Sequence, residues 1–214
     1  MIAIVKYNAG NIQSVLFALE RLGVEAVWTD DPSVLQRAKK VIFPGVGEAA
    51  SAMRYLKAKG LDEVLQHLTQ PVLGICLGLQ LFCRHSEEND TPCLGIFDVA
   101  VRKFDPARFL AASLENTMEA ARPLQDASPL KVPHMGWNTL HALRSPLFEG
   151  IAEGAYAYFV HSYYAEASQA AIASCTYGDV FSAALQRDNF YAVQFHPEKS
   201  GALGQQILKN FINL

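Results

Sequence analysis

The first half of the chain alternates short apolar runs with helical patterns, and this alternation most constrains the fold. Runs rich in Ile and Val predict four strands, in the segments MIAIVKY, VEAVW, KVIFPG and PVLGI. Between them, apolar residues recur at helical spacing. One such segment could be capped by Asn11 and ended by Gly23, and two more cover 48–59 and 61–68. Strands and helices in this order predict a parallel sheet with helices on both faces.

From about Phe97 onward the sequence becomes rich in β-type segments. FDVAVRKF, YAYFVHSYYAE, AAIASCTY and FYAVQF are separated by short turns, and they predict a mixed or antiparallel extension of the sheet. A helical pattern over 201–211 is expected to pack back on the core, and 106–124 predicts an amphipathic helix between prolines. We therefore expect one α/β domain over 1–214, with a mixed, mostly parallel central sheet flanked by helices and a β-rich second half.

Composition excludes several classes of protein. Half of the 214 residues are hydrophobic and 18% are charged, which suits a continuous core rather than disorder. A net charge of −3, without a basic stripe, gives no basis for nucleic-acid binding. The apolar start lacks the pattern of a signal peptide, and no segment has the length of a membrane span. Four cysteines without a CxxC pair predict no disulfide framework, so we expect a cytoplasmic protein that does not bind membranes.

The strongest local motif is Gly74-Ile75-Cys76-Leu77-Gly78, which follows a predicted buried strand and precedes a helical pattern. A nucleophile between flanking glycines at such a turn is typical of a nucleophile elbow, where the glycines let neighbouring backbone approach closely. The following helix would favour a thiolate, and the N–H of Leu77 could meet a developing oxyanion. The alternative is a buried structural cysteine beside packing glycines.

A thiol nucleophile needs a base and a group that orients the base. His196-Pro197-Glu198 follows the predicted strand FYAVQF, which puts an imidazole and a carboxylate at a strand end. His196 would accept the thiol proton, and Glu198 would hold the ring. Alone, the tripeptide could equally be a solvated loop. A third segment, Phe43-Pro44-Gly45-Val46-Gly47, could turn backbone amides toward the same edge or simply connect a strand to a helix.

With PGVG, GICLGLQLF and QFHPEKSG in this order, the sequence resembles the class I (triad-type) glutamine amidotransferases. Within this family, KYNAGNIQSV, VPHMGWN and YFVHSYY resemble the glutaminase subunits of imidazole glycerol phosphate synthase. The resemblance implies a flavodoxin-like fold, hydrolysis of L-glutamine through a thioester and no cofactor. It implies a catalytic triad of Cys76, His196 and Glu198.

The resemblance also assigns roles around the triad. The oxyanion donors would come from Val46, Gly47 and Leu77. The residues expected to contact glutamine are Gly45, Gln80, Glu88, Ser162 and Tyr163.

The resemblance implies a partner as well, a (β/α)8-barrel cyclase that forms a heterodimer with this chain and receives its ammonia. The residues expected near that interface are Asn11, Pro133, Met135, Trp137 and Lys199. For Met135 and Trp137, ordinary core packing is the alternative. Residues 106–128 are longer than the connection typical of the family, so we expect an inserted surface helix of unknown role there.

Three other functions fit the same motifs, and a metal site is a fourth alternative. The chain could serve a different synthase, such as the anthranilate or pyridoxal phosphate systems, although VPHMGWN and YNAGN argue against this. It could be a partner-independent thiol hydrolase, which would hydrolyse other amides. It could be a binding module without catalysis, although the intact triad argues against this. The spacing of Cys83, His85 and Cys93, treated as a helical segment, matches no zinc pattern, so we expect no metal.

Overall fold

A seven-stranded sheet forms the centre of the protein in a computed structural model that describes residues 1–7, 12–107 and 130–214. Its strand order is β11-β12-β13-β4-β3-β1-β2. These strands are β1 (Ile2–Val5), β2 (Ala26–Thr29), β3 (Lys40–Phe43), β4 (Val72–Ile75), β11 (Ala171–Tyr177), β12 (Asp179–Arg187) and β13 (Phe190–Val193). The five strands from β2 to β13 are parallel, and β12 pairs antiparallel with both β13 and β11.

The helices of the described residues connect or cover these strands. They are α1 (Gln13–Arg21), α2 (Pro32–Arg37), α3 (Ala49–Ala58), α4 (Leu61–Gln66), α5 (Leu77–Phe82) and α6 (Gly201–Asn213). Strands β1 and β4 are buried along their whole length because helices cover both faces, which explains their continuous apolar sequence. Two apolar clusters result, one on each face, and neighbouring residues such as Ala3 and Ile4 belong to different clusters.

The predicted α/β domain with a mostly parallel sheet and a β-rich second half is confirmed. Of the four predicted β-type segments, however, only AAIASCTY (β11) and FYAVQF (β13) join the central sheet. Two smaller sheets take up the other β-rich segments. One has the order β10-β7-β5-β6, and the other is the antiparallel hairpin of β8 and β9. Their strands are β5 (Cys83–Ser86), β6 (Thr91–Pro92), β7 (Phe97–Lys103), β8 (His134–Thr139), β9 (Tyr156–His161) and β10 (Tyr163–Ala165).

Three local expectations need correction. The segment with Cys83 and His85 is strand β5, not a helix, because it pairs with β7 beside α5. The sequence patterns also missed α2, which Asp31 caps by accepting hydrogen bonds from the N–H groups of Ser33 and Val34. Strand β12 was missed as well. Asn11, most of the predicted helix over 106–124 and most of the expected insertion over 106–128 lie outside the described residues.

The outer edge of β11 is partly paired with the segment that follows β8. His141 and Ser174 exchange two backbone hydrogen bonds, with N···O distances of 2.9 and 2.8 Å. The N–H of Arg144 donates to the carbonyl of Ile172 at 2.8 Å. The backbone groups at this end of the sheet are therefore satisfied within the chain. Among the helices of the described ranges, none has the length and apolar character needed to span a membrane.

Candidate active site

Cys76 occupies the turn between β4 and α5, where the carboxyl ends of the parallel strands meet. Its φ is +53° and its ψ is −106°, a conformation that is strained for a residue with a side chain. The N–H of Cys76 donates to the carbonyl of Val193 at 2.8 Å, which ties the turn to the neighbouring strand β13. The thiol is 7% exposed and thus lies at the floor of a cleft rather than on the surface.

The flanking glycines are explained by close packing around this turn. A Cβ atom on Gly78 would overlap the carbonyl oxygen of Phe43, and one on Gly74 would lie 2.8 Å from the ring of Phe82. Gly45 is equally restricted, since a Cβ there would lie 2.6 Å from the backbone nitrogen of Gly78. Gly45 is thus buried against the elbow, and the contact with substrate that the resemblance implies for it stays a prediction.

His196 and Glu198 reach the same edge because β13 pairs in parallel with β4, with Val193 opposite Ile75. The chain leaves β13 and enters a 3₁₀ turn at Pro197–Lys199. His196 Nδ1 lies 2.7 Å from Glu198 Oε1, and the two side chains are 2% and 7% exposed. The backbone N–H of His196 donates to the carbonyl of Tyr158 at 2.9 Å. Hydrogen bonds therefore fix His196 through both its ring and its backbone.

The electrostatics of His196 depend on its two neighbours. Burial lowers the pKa of its imidazole, but the negative charge of the Cys76 thiolate, together with the charge and hydrogen bond of Glu198, outweighs burial and raises this pKa to about 10. Among the described residues, none forms a hydrogen bond with His196 Nε2. This nitrogen is therefore available to exchange a proton with the sulfur or with a bound substrate.

A cleft of ≈ 350 Å³ lies directly above Cys76 and His196. It brings together residues from distant parts of the sequence that the sequence analysis assigned to glutamine or to the oxyanion. These are Val46, Gly47, Leu77, Gln80, Glu88, Ser162 and Tyr163. Pro133, expected at the partner interface, also lines the cleft. The predicted oxyanion and substrate residues, except Gly45, thus line one cleft together with Cys76 and His196.

The loop after β3 borders the cleft and is anchored from below. Gly47 has a φ of +119°, which glycine adopts without strain. The hydroxyl of the buried Tyr7 donates to the carbonyl of Pro44 at 2.8 Å. Burial raises the pKa of Tyr7, so this hydroxyl keeps its proton and remains a donor. The position of the loop is therefore fixed on the side of β1.

Glu88 is held against the start of α3. Its Oε2 accepts a hydrogen bond from the N–H of Ala49 at 2.7 Å. Burial raises the pKa of Glu88, the hydrogen bond from Ala49 opposes this, and the nearby charge of Glu48 adds to the increase. A carboxylate that lines the cleft and has one oxygen in use can direct its other oxygen toward a ligand amide.

The hairpin of β8 and β9 has a buried face and an exposed face. On the exposed face, the side chains of Met135 and Trp137 are 65% and 56% exposed. Core packing, the alternative for these two residues, is therefore wrong. Lys199 is also exposed, with its Nζ 6.0 Å from the ring of Tyr158, and Tyr158 contacts Trp137 at 5.9 Å between ring centroids. Asn11, the remaining predicted interface residue, lies outside the described residues.

Four side chains beside the cleft had no predicted role. Gln194 lies in the QFHPEKSG motif, and its amide Nε2 is 3.7 Å from the sulfur of Cys76. His134 and His161 form a buried pair, with 3.0 Å between Nδ1 of the first and Nε2 of the second. Asn138 Nδ2 lies 3.3 Å from His134 Nε2. The quoted motifs contained all four, but spacing along the chain does not show that they touch.

The described ranges contain no group of three or more His, Cys, Asp or Glu side chains arranged to hold a metal ion. Cys83 is buried and its sulfur donates to the carbonyl of Leu79 at 3.4 Å, while His85 lies on β5 and pairs with Asp90. Cys83 and His85 thus each have a partner within the protein.

Comparisons with known proteins show which family the chain resembles. The family model described as "Glutamine amidotransferase class-I" matches residues 4–214. The imidazole glycerol phosphate synthase subunit HisH of Bacteroides thetaiotaomicron is 54% identical to the chain, with 100% of this chain and 99% of that protein covered. The HisH subunit of Colwellia psychrerythraea is 48% identical, with 99% and 92% covered.

Solved structures share the fold at much lower sequence identity. A putative GMP synthase protein from Thermoplasma acidophilum matches with a TM-score of 0.68 at 19% identity, and the match covers 100% of this chain and 92% of that one. A crystal structure described as a glutamine amidotransferase gives a TM-score of 0.69 at 17% identity, with 100% and 98% covered.

Proposed function

The chain belongs to the class I glutamine amidotransferase family, and we propose that it is the glutaminase subunit of an imidazole glycerol phosphate synthase in histidine biosynthesis. It hydrolyses L-glutamine to L-glutamate and ammonia. One observation carries the proposal: Cys76 lies in a strained strand–helix turn beside the buried His196–Glu198 pair, at the floor of one cleft. The full-length similarity to HisH subunits supports the choice of synthase.

The first half-reaction forms a thioester. The Cys76 thiolate attacks the side-chain amide carbon of glutamine, and the carbonyl oxygen becomes an oxyanion. The protonated Nε2 of His196 then gives its proton to the departing amide nitrogen, which leaves as ammonia while the C–N bond breaks. The raised pKa of His196, about 10, supports this step because the imidazole is protonated when the thiolate is present.

The second half-reaction regenerates the enzyme. His196, now neutral, accepts a proton from water, and the hydroxide attacks the thioester carbon. The second tetrahedral intermediate collapses, the C–S bond breaks, and Cys76 returns as a thiolate beside the imidazolium. The new side-chain carboxyl gives its proton to water, and the product leaves as glutamate. Glu198 stabilises the imidazolium and fixes its orientation through the 2.7 Å contact with Nδ1.

Both tetrahedral intermediates need donors for the oxyanion. We assign these to the backbone N–H of Leu77 and to one N–H from Val46 or Gly47, because all three residues line the cleft next to Cys76. Leu77 is the first residue of α5, so its N–H has no carbonyl acceptor within the helix.

The other residues of the cleft would hold the substrate. We assign Gln80 and Glu88 to the amide group of glutamine, and Ser162 and Tyr163 to its carboxylate end. These residues line the cleft together with Cys76, from α5, from the β5–β6 turn and from the start of β10 and the connection before it. They offer amide, carboxylate and hydroxyl groups that can bind the polar ends of one amino acid.

The ammonia is delivered to a (β/α)8-barrel cyclase, with which the chain forms a heterodimer in the cytoplasm. The cyclase joins ammonia to a ribonucleotide and yields imidazole glycerol phosphate and aminoimidazole carboxamide ribotide. The exposed apolar side chains of Met135 and Trp137 support this face as the docking surface, and the ring of Tyr158 lies between Trp137 and the exposed Lys199.

The experiment is a measurement of glutamate release from glutamine by the purified chain, alone and with the cyclase and its ribonucleotide. Cys76→Ala is measured alongside. We expect activity to rise strongly in the complex and to vanish in the variant. Hydrolysis that the cyclase does not affect would move the chain to another amidotransferase or to a partner-independent hydrolase. A folded complex that leaves glutamine unchanged would refute the proposal.

A further inference from the structure

A backbone carbonyl next to the cleft fixes the orientation of several buried side chains. The carbonyl of Tyr163 accepts two hydrogen bonds, from Gln80 Nε2 at 2.8 Å and from His161 Nδ1 at 2.8 Å. A carbonyl oxygen has no proton to give, so both partners must direct an N–H toward it. This requirement shows which nitrogen of each neighbouring side chain carries the donated proton. The positions of the heavy atoms alone do not settle this for amides and imidazoles.

On one side of this carbonyl, the side-chain amides of Gln80 and Gln194 connect it to the sulfur of Cys76, and the orientation of each amide fixes that of the next. Gln80 presents its NH₂ group to Tyr163, and the same nitrogen lies 3.1 Å from Gln194 Oε1. Because Gln80 already donates there, the group of Gln194 that faces it must be the carbonyl oxygen. The NH₂ of Gln194 is then directed at Cys76 Sγ, 3.7 Å away. The reverse orientation of Gln194 would bring two NH₂ groups together.

On the other side, the same carbonyl determines which nitrogens of His161 and His134 carry protons. His161 uses its Nδ1–H for Tyr163, so its Nε2 is the acceptor for His134 Nδ1–H at 3.0 Å. His134 Nε2 then accepts from Asn138 Nδ2 at 3.3 Å. Both imidazoles are held neutral, since burial lowers the pKa of His134 to about 4 and that of His161 to about 3. The Tyr163 carbonyl therefore keeps its position and its acceptor role near neutral pH.

The surroundings of the sulfur differ for the thiol and for the thiolate. A neutral Cys76 can direct its S–H at the carbonyl of Val160, 3.9 Å away. A thiolate has no proton for that carbonyl and instead gains from N–H donors. Gln194 is fully buried, so water does not compete for its side-chain amide. Its backbone N–H donates to the carbonyl of Ala183 at 2.8 Å, which fixes the position of the residue.

We infer that Gln194 donates a hydrogen bond to the Cys76 thiolate and so favours the reactive form of the nucleophile, with Gln80 and the Tyr163 carbonyl as the groups that orient it. The inference rests on the proposed function in that it takes Cys76 as the nucleophile. It places Gln194, from the QFHPEKSG segment, in direct contact with the reacting sulfur. Gln80 acts here through Gln194 and is a positioning residue.

The test is the rate at which iodoacetamide alkylates Cys76 in the full chain, from about pH 5 to about pH 10, read by mass spectrometry of the Cys76 peptide. Gln194→Met removes the amide and keeps a side chain of similar length. We expect it to slow alkylation near pH 7 by roughly threefold to tenfold and to move the midpoint of the profile to higher pH. At the highest pH the rate should approach that of the wild type, because the thiol remains accessible.

Two further variants separate donation from packing. Gln194→Glu keeps an acceptor for Gln80 but places a carboxylate near the sulfur, so it should move the midpoint further than Gln194→Met does. Gln186→Met removes a half-buried amide on β12, outside this network, and should leave the profile unchanged. A folded Gln194→Met with the wild-type midpoint would overturn the inference. A rate lowered equally at every pH would also overturn it, since that result indicates altered access.

A second measurement, on the wild-type protein, tests the contact between Gln194 and Cys76 even if the Gln194 variants do not fold. In protein labelled with ¹⁵N at glutamine side chains, we expect the Gln194 amide signal to shift with the same pH midpoint as alkylation. The shift should disappear in Cys76→Ala. A signal that does not respond to pH would refute the contact. Both readouts are independent of glutamine hydrolysis, so a chain that passes them without glutaminase activity would refute the proposed function instead.

Discussion

The carboxyl edge of the parallel strands and the β8–β9 hairpin face the same cleft, but they are built in different ways. The parallel edge is buried on both sides, and its glycines let the backbone of β3 and α5 approach closely. The hairpin alternates, with His134 and His161 on its buried face and Met135 and Trp137 exposed. The edge can therefore position reacting groups rigidly, whereas the hairpin can contact the cleft with one face and another protein with the opposite face.

A change in the catalytic pair at the parallel edge should have the largest effect on activity. Glu198→Gln removes the charge that stabilises protonated His196 and keeps the size of the side chain. We expect glutaminase activity in the presence of the cyclase to fall roughly hundredfold to ten-thousandfold, since the imidazolium loses its buried partner. Glu20→Gln, on the exposed surface of α1, is the matched control and should retain full activity. A loss of less than about tenfold would contradict the role of Glu198.

The close packing of the same edge predicts a loss of folding stability. Gly78→Ala places a methyl group against the carbonyl of Phe43, and backbone cannot move aside as a flexible side chain can. We expect the free energy of unfolding in urea to fall by about 3 kcal/mol. In Gly95→Ala, where φ is +68° and a Cβ would meet no atom within 4 Å, the loss should be about 1 kcal/mol. Equal losses would refute the packing explanation.

The buried face of the hairpin predicts a dependence of stability on pH. The pKa of His161 is lowered to about 3, chiefly by burial, and unfolding returns it to about 6.5. Between these values the unfolded chain binds the proton and the folded chain does not, so acid favours unfolding. In His161→Gln, the fall in unfolding free energy from pH 6 to pH 5 should be smaller than in the wild type by about 1 kcal/mol. An unchanged dependence would contradict the buried neutral state.

The exposed face predicts a loss of binding without a loss of folding. Trp137→Ala should weaken the affinity for the cyclase by about tenfold or more, because exposed aromatic side chains often dominate an interface. Its unfolding free energy should stay within about 0.5 kcal/mol of the wild type. Val180→Ala, a similarly exposed residue on β12, is the control and should bind normally. Titration calorimetry gives the affinity, and unchanged binding of Trp137→Ala would remove this face from the proposed interface.

The same contrast explains what the sequence could predict. Strands buried on both faces are continuous apolar runs, and a nucleophile elbow is a local motif, so β1, β3, β4 and Cys76 were predictable. The separate sheets of β5–β7, β10 and the hairpin depend on pairing between distant segments, which spacing along the chain does not encode. Gln80 and Gln194 are 114 residues apart in sequence, so their contact becomes visible only once β4 and β13 are neighbours.

The pairing along the outer edge of β11 has a consequence for how the protein behaves at high concentration. An unpaired strand edge offers backbone donors and acceptors to any other chain, and sheets can grow from one molecule to the next in this way. Here the segment around His141 and Arg144 occupies the positions at Ser174 and Ile172 that an incoming strand would use. At these residues the edge cannot recruit a second molecule, so the sheet is closed to aggregation from this part of its border.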